Sequence, residues 1–335
     1  MTPWRFLLGV LLVVVVPVAG AAPASADPAG PTDYRTDIVD IVPETGSVAL
    51  RMIGGDSFLH LVSDPGTAVT VVGYRGEDYL RFDPDGTVWR NENSPSRWLN
   101  DDRYAAAAVP PTATPGAEPE WVVVAGGGSY AWHDHRTHWM QTVPPPGVRP
   151  GDVVLEATIP LMVDGVPTLV HVRSVRLGSP SMFPLAVAVA AALVALVAGF
   201  RASAGRGVAA VVAGWAFAAT ALGVWAVVSL PGEVGPGAAT WSLPAVAAVT
   251  AAAALVLGSG RGPVVPLLQA VAGGALFMAV FARRSALTHA LIPSDAPELL
   301  DRVVIAGGFV VGAGAVVAGA GAVVAATRTP AGQGS

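Results

Sequence analysis

The sequence predicts an all-β, Ig-like sandwich ectodomain followed by an all-α transmembrane bundle of about five helices. Three observations carry that prediction. The 335 residues are 53% hydrophobic and only 13% charged, whereas soluble domains are roughly a quarter charged. Charge is also unevenly spread, with 20 of the 24 acidic residues between Asp27 and Asp164. The third is a change of pattern at Ser181, from short β-branched runs between turn residues to long uncharged apolar stretches.

The chain opens with a single charge, Arg5, then an apolar run from Phe6 to Val16 and small residues ending Ala24-Ser25-Ala26. That order matches a secretory signal over 1–26, and the run is shorter than the ~20 residues a membrane span needs. Cleavage after Ala26 is the expectation, with an uncleaved anchor helix as the alternative. Either one places residues 27–180 outside the cytoplasm. Within them Asp37–Val42, Val48–Ile53, Phe58–Val62, Val69–Tyr74, Tyr79–Phe82, Thr87–Arg90, Trp121–Val124, Val153–Val163 and Pro167–Leu177 read as antiparallel strands. Asp83-Pro-Asp-Gly86 and Val163-Asp-Gly165 signal hairpin turns. Leu155, Ala157, Ile159, Leu161 and Val163 alternate as one buried sheet face requires. The Ala- and Pro-rich stretch Ala105–Pro119 reads as a loop.

Residues 181–327 form the bundle, with spans at Phe183–Phe200, Gly207–Leu230, Ala238–Leu257, Pro263–Phe281 and Val303–Ala326, and 328–335 as a cytoplasmic tail. Each span is long enough to cross a bilayer, and none contains an ionisable residue. A chain entering from outside puts Arg201, Arg206, Arg261 and Arg328 in the cytoplasm, as the positive-inside tendency asks. Arg283, Arg284 and Arg302 then fall on the outer side, against it. The third span, which contains Pro244, is the weakest in the count. Small residues at Gly308, Gly312, Gly319 and Gly321 permit close helix approach, read as ordinary bundle packing rather than a dimer face. Without acids, bases or His inside the helices, a stand-alone pump is not expected.

Several chemistries are excluded by residue type. All 19 basic residues are Arg, so Walker phosphate loops and Schiff-base lysines are absent. With no Cys, disulfides, thiolate catalysis and Cys-ligated metals are absent too. The acidic stretch gives nucleic acid no basic footprint. One cluster remains, Trp132-His-Asp-His-Arg-Thr-His-Trp-Met140. On a strand, His133 and His135 share a face about 6.6 Å apart along the chain, and a turn near Arg136–Thr137 brings His138 round as a third ligand. Met140, Asp134 and His60 are additional candidates, and His171 is a further strand histidine. An extracytoplasmic His, Met and carboxylate set without Cys suits copper or zinc. The alternative is a structural plug in which Asp134 pairs with Arg136 and the His rings donate to backbone carbonyls. A hydrolytic metal site would need Asp134 as base beside an open metal position. The polar segments Asn91–Trp98 and Asn100–Arg103 are expected to form one rigid loop with the cluster.

The run Gly73–Phe82, then Asp85-Gly86, Asn93-Ser-Pro95, Asn100 and the Trp132–Met140 block, resembles a family of actinobacterial-type membrane proteins with an exported β domain and no assigned activity. That resemblance implies the architecture alone. Val153–Leu177, a hairpin with Asp-Gly at its turn, is loosely similar to the end of a CopC-like sandwich in fused CopC/CopD copper-resistance proteins. The bundle has fewer helices than CopD and no His or Met pattern for passing metal, so copper enters only by analogy. The expected function is a non-enzymatic binding module at the plasma membrane, for copper or zinc through His133, His135 and His138. The alternative is a structural or interaction subunit of an envelope or transporter complex, with the His block as its core. Expected partners are the lipid bilayer and other membrane or envelope proteins.

Overall fold

A computed structural model describes residues 29–141, 143–203, 205–258 and 262–328. The expected signal over 1–26, and with it the expected cleavage after Ala26, lies outside the described residues, as does the tail beyond 328. The remaining chain divides where the sequence changes character.

Among the described residues, ten strands precede five long apolar helices. The strands are β1 (Tyr34–Val42), β2 (Val48–Ile53), β3 (Phe58–Ser63), β4 (Val69–Val72), β5 (Asp78–Phe82), β6 (Val88–Asn91), β7 (Trp121–Ala125), β8 (Ser129–Trp132), β9 (Val153–Val163) and β10 (Val166–Arg176). A short helix, α1 (Pro95–Leu99), follows β6 and is capped by the Ser94 hydroxyl on the Ser96 amide. Every pairing is antiparallel. One sheet runs β1-β10-β9-β4-β5-β6-β7 and the other β2-β3-β8. Side chains of both sheets, among them Leu59, Leu61, Leu80, Phe82, Trp132, Ile159, Leu161 and Val170, meet in one apolar core. The β9–β10 hairpin turns on Asp164 and Gly165, both at positive φ (49° and 78°), as a two-residue turn of the primed type needs.

One strand, β8, has no signal of its own in the sequence. β8 lies between the Gly-rich run and the His block, and the chain changes sheets at Gly127 and Gly128, both at positive φ. A Cβ on Gly128 would sit 2.8 Å from the Ser63 carbonyl oxygen, so this crossing needs glycine. The strand then stops at Trp132, so the alternation that set His133 and His135 on one face does not apply. The chain turns instead, closing with the Thr137 amide on the Asp134 carbonyl at 2.9 Å.

The helices are α2 (Phe183–Ala202), α3 (Arg206–Val228), α4 (Ala239–Leu257), α5 (Val264–Ala282) and α6 (Glu298–Arg328). Each is long and apolar enough to cross a membrane. Pro244 stays inside α4. It has no N–H for the Thr240 carbonyl, and Gly223 of α3 packs there so closely that a Cβ would lie 2.5 Å from that oxygen. α6 packs against α5, α2 and α3. Its glycines serve this bundle: Gly312 faces Gly273, Gly319 faces Pro266 and Ala270, and Gly308 faces Val280. Gly321 alone of the four faces open space.

The β domain sits on one end of the bundle. Thr32 and Leu291 exchange backbone hydrogen bonds at 3.1 and 2.9 Å, and the Ala290 amide donates to Asp33 at 2.8 Å. Ala29 reaches the Val234 carbonyl, so the α3–α4 and α5–α6 connections lie at the same end. That end also holds Arg283, Arg284 and Arg302, the three arginines that the expected orientation sets against the positive-inside tendency. Arg283 pairs with Asp301, and Arg302 pairs with Glu298 at 3.0 Å. Arg302 also donates to the carbonyls of Ala286, His289 and Ala290. Arg284 lies over the Phe281 ring. Two of these charges are therefore neutralised in place while they brace the loop that receives the β domain.

Candidate functional site

The His block is held from three directions. Asp134 is completely buried and forms a bidentate ion pair with Arg136, Nε to Oδ1 at 2.8 Å and Nη2 to Oδ2 at 2.7 Å. The Trp132 indole N–H donates to the same carboxylate at 3.2 Å. Burial pushes this carboxyl up, but the charge and hydrogen bonds of Arg136 outweigh it and hold Asp134 below the usual range. Arg136 also donates to the Val72 carbonyl at 3.1 Å and lies over the Tyr74 ring. The Tyr74 hydroxyl donates to Asn100 and accepts the His135 amide at 2.7 Å. Burial raises the Tyr74 phenol well above its ordinary range, so it remains a protonated donor.

Each histidine of the block has a ring nitrogen on a backbone carbonyl. His133 Nδ1 donates to Ser57 at 2.7 Å, His135 Nε2 to Asp102 at 2.9 Å, and His138 Nδ1 to Trp139 at 3.3 Å. Both Asn100 and Asp102 come from the segment after α1, so Asn100–Arg103 meets the block as expected, whereas Asn91–Trp98 ends β6 and forms most of α1. Arg103 of that segment pairs with the buried Asp56 at 2.6 Å and reaches the Ser57 hydroxyl at 3.2 Å. Burial outweighs Arg103 and raises the Asp56 carboxyl, whose Oδ1 is buried without a hydrogen bond. Tyr74 and Asp56 are not singled out by sequence, because their partners His135 and Arg103 lie 61 and 47 residues away.

A metal ligand also commonly donates its second ring nitrogen to a carbonyl. Carbonyl contacts alone therefore do not separate a metal site from a plug, and convergence of the other nitrogens does. The His138 ring centroid lies 5.3 Å from that of His135 and 6.4 Å from that of His133. Among the described residues, no three His, Asp or Glu side chains are placed to hold one ion. His138 Nε2 is buried without a hydrogen-bond partner. Burial, with the nearby Arg103 charge, lowers the His138 pKa to about 3; the same guanidinium opposes any other cation there.

The further ligand candidates go elsewhere. His60 accepts Arg51 Nε on Nδ1 at 3.1 Å and meets the Ser129 hydroxyl with Nε2 at 2.8 Å, so both ring nitrogens are committed. His171 contacts Thr158 on the exposed face of the β9–β10 hairpin. Met140 is half-buried beyond His138. Asp134, neutralised by Arg136, is not poised as a base.

Beside the block a cavity of about 350 Å³ opens between the two parts of the chain. Arg103, Tyr104, His133, Trp139 and Gln141 line it from the β domain, Thr32 and Asp33 from the segment leading into β1, Tyr34 from the start of β1, and His289 from the α5–α6 connection. It combines aromatic faces with a guanidinium, an amide and a carboxylate. Sites of this kind favour boundaries between domains.

The chain matches no protein-family model, no curated protein and no solved structure. Its function is therefore read from geometry.

Proposed function

We propose that this chain is a non-enzymatic, extracytoplasmic binding module, a two-sheet β-sandwich of Ig-like or CopC-like layout seated on a five-helix plasma-membrane anchor. The His block is its structural core, and the cleft between sandwich and bundle is where a small polar ligand binds. The observation that carries this reading is the shared wall: His133 and His289 come from different units yet line one cavity. A ligand there touches both units, so its binding is communicated to the bundle through the Thr32–Leu291 pairing. An interaction subunit of an envelope or transporter complex fits the same layout. A second reading, copper or zinc at the block, is favoured by one atom, the unpartnered His138 Nε2.

Placement outside the cell is testable because the chain has no cysteine. Tyr104→Cys puts a thiol at the exposed cleft rim, and Ser203→Cys puts one at the opposite end of the bundle. In intact cells a membrane-impermeant maleimide is expected to label the Tyr104→Cys variant and to reach the Ser203→Cys variant only after permeabilisation. An occupied cleft also slows labelling of the Tyr104→Cys variant in cells relative to the purified protein. Labelling of Ser203→Cys alone in intact cells would invert the chain and sink the proposal.

A further inference from the structure

The bundle carries a second site, at the end away from the β domain. Between α2 and α6 a groove of about 870 Å³ is lined by apolar side chains and by Arg201. Its origin lies in side-chain size. Near the β domain the two helices meet directly, Leu185 and Ala188 against Ala306. Farther along, Leu196 covers Gly314, where a Cβ would lie 2.1 Å from Leu196 Cδ2. Beyond that point α6 lines the groove with the exposed Val317 and the small Ala318, Gly321 and Ala322, which leave space open before Phe200.

The occupant follows from where the groove lies and what closes it. Both helices are membrane-crossing by length and composition, so the groove opens onto hydrocarbon. Its mouth holds a guanidinium, Arg201, which is exposed and has no ion-pair partner among the described residues. Arg206 is exposed one turn away in the chain. The four acids after Ser181, namely Glu233, Asp295, Glu298 and Asp301, all belong to the other end. An apolar slot under an uncompensated cationic rim matches an acyl chain beneath an anionic headgroup.

We infer that this groove binds an anionic phospholipid, its phosphate on Arg201 and an acyl chain against Ala318 and Gly321. The inference does not depend on the cleft or on which side of the membrane the β domain occupies. The test uses the full chain in detergent, delipidated and then offered phosphatidylglycerol or phosphatidylcholine, with retention read by native mass spectrometry. Wild type is expected to retain phosphatidylglycerol preferentially. Arg201→Gln should cut that preference about five-fold, the effect of one interfacial arginine. Gly321→Leu fills an open position, where a Cβ meets nothing within 4 Å. It should abolish retention while leaving the melting temperature in detergent unchanged. Equal retention of the two lipids, or an Arg201→Gln variant identical to wild type, would overturn the assignment. So would a wild-type dimer that Gly321→Leu dissolves, since a second copy would then occupy the groove.

Discussion

Asp134→Asn is expected to destabilise the β domain by about 3–5 kcal/mol, the usual effect of removing one partner from a buried ion pair. The substitution preserves shape but leaves Arg136 charged, mostly buried and facing an amide. It also takes a charged acceptor from the Trp132 indole. The control is Asp134→Asn combined with Arg136→Met, which removes both charges. That double variant should recover part of the loss, because the penalty comes from the uncompensated partner. Denaturant unfolding of the full chain, followed by tryptophan fluorescence, measures both. A single variant within 1 kcal/mol of wild type would mean that the block does not hold the domain together.

Acid should begin to weaken the domain below about pH 6.5, before carboxylates start to titrate. The His138 pKa falls to about 3 in the fold because burial and Arg103 oppose its charged form, while the unfolded ring keeps an ordinary value near 6.5. Between those values the unfolded state binds a proton that the folded state refuses. Stability is therefore complete above about pH 6.5 and lost as pH falls toward 3, at about 1.4 kcal/mol per pH unit for this one ring. Burial also lowers His135 and His60, which add to the slope in the same direction. Asp134 acts later, its contribution disappearing only as pH falls through its depressed folded value. His138→Gln should reduce the slope between pH 6 and 4 by about one proton. An unchanged slope in that variant would show that another group drives the acid transition.

The parts of this structure that were legible in the sequence are local or compositional. Five spans follow from length and polarity, and the Asp164-Gly165 turn follows from residues that accept positive φ. The pairing of Asp134 with Arg136 was readable as one of two alternatives, because both lie in the same short block. What escaped is set by distant partners. The sheet change after β7 depends on Gly128 fitting under the Ser63 carbonyl, 65 residues earlier. The position of His135 depends on Tyr74 and Asp102, which supply an acceptor for each end of the residue. Period-two reasoning failed there because β8 ends at Trp132, where the chain bends to bring Asp134 under Arg136. Arg283, Arg284 and Arg302 were likewise anomalous only as counted charges. In the fold Arg302 caps three loop carbonyls, a use of charge that no tally of loops contains.

The most direct test of a structural His block is the metal content of the purified full chain, measured with its unfolding curve. Wild type and His133→Ala/His135→Ala would be grown with added copper and zinc. A structural block should give no stoichiometric metal in wild type and a double variant that unfolds at markedly lower denaturant, having lost the contacts to Ser57 and Asp102. Near-stoichiometric copper or zinc in wild type, lost in a double variant that stays folded, would contradict it and make the block a metal centre.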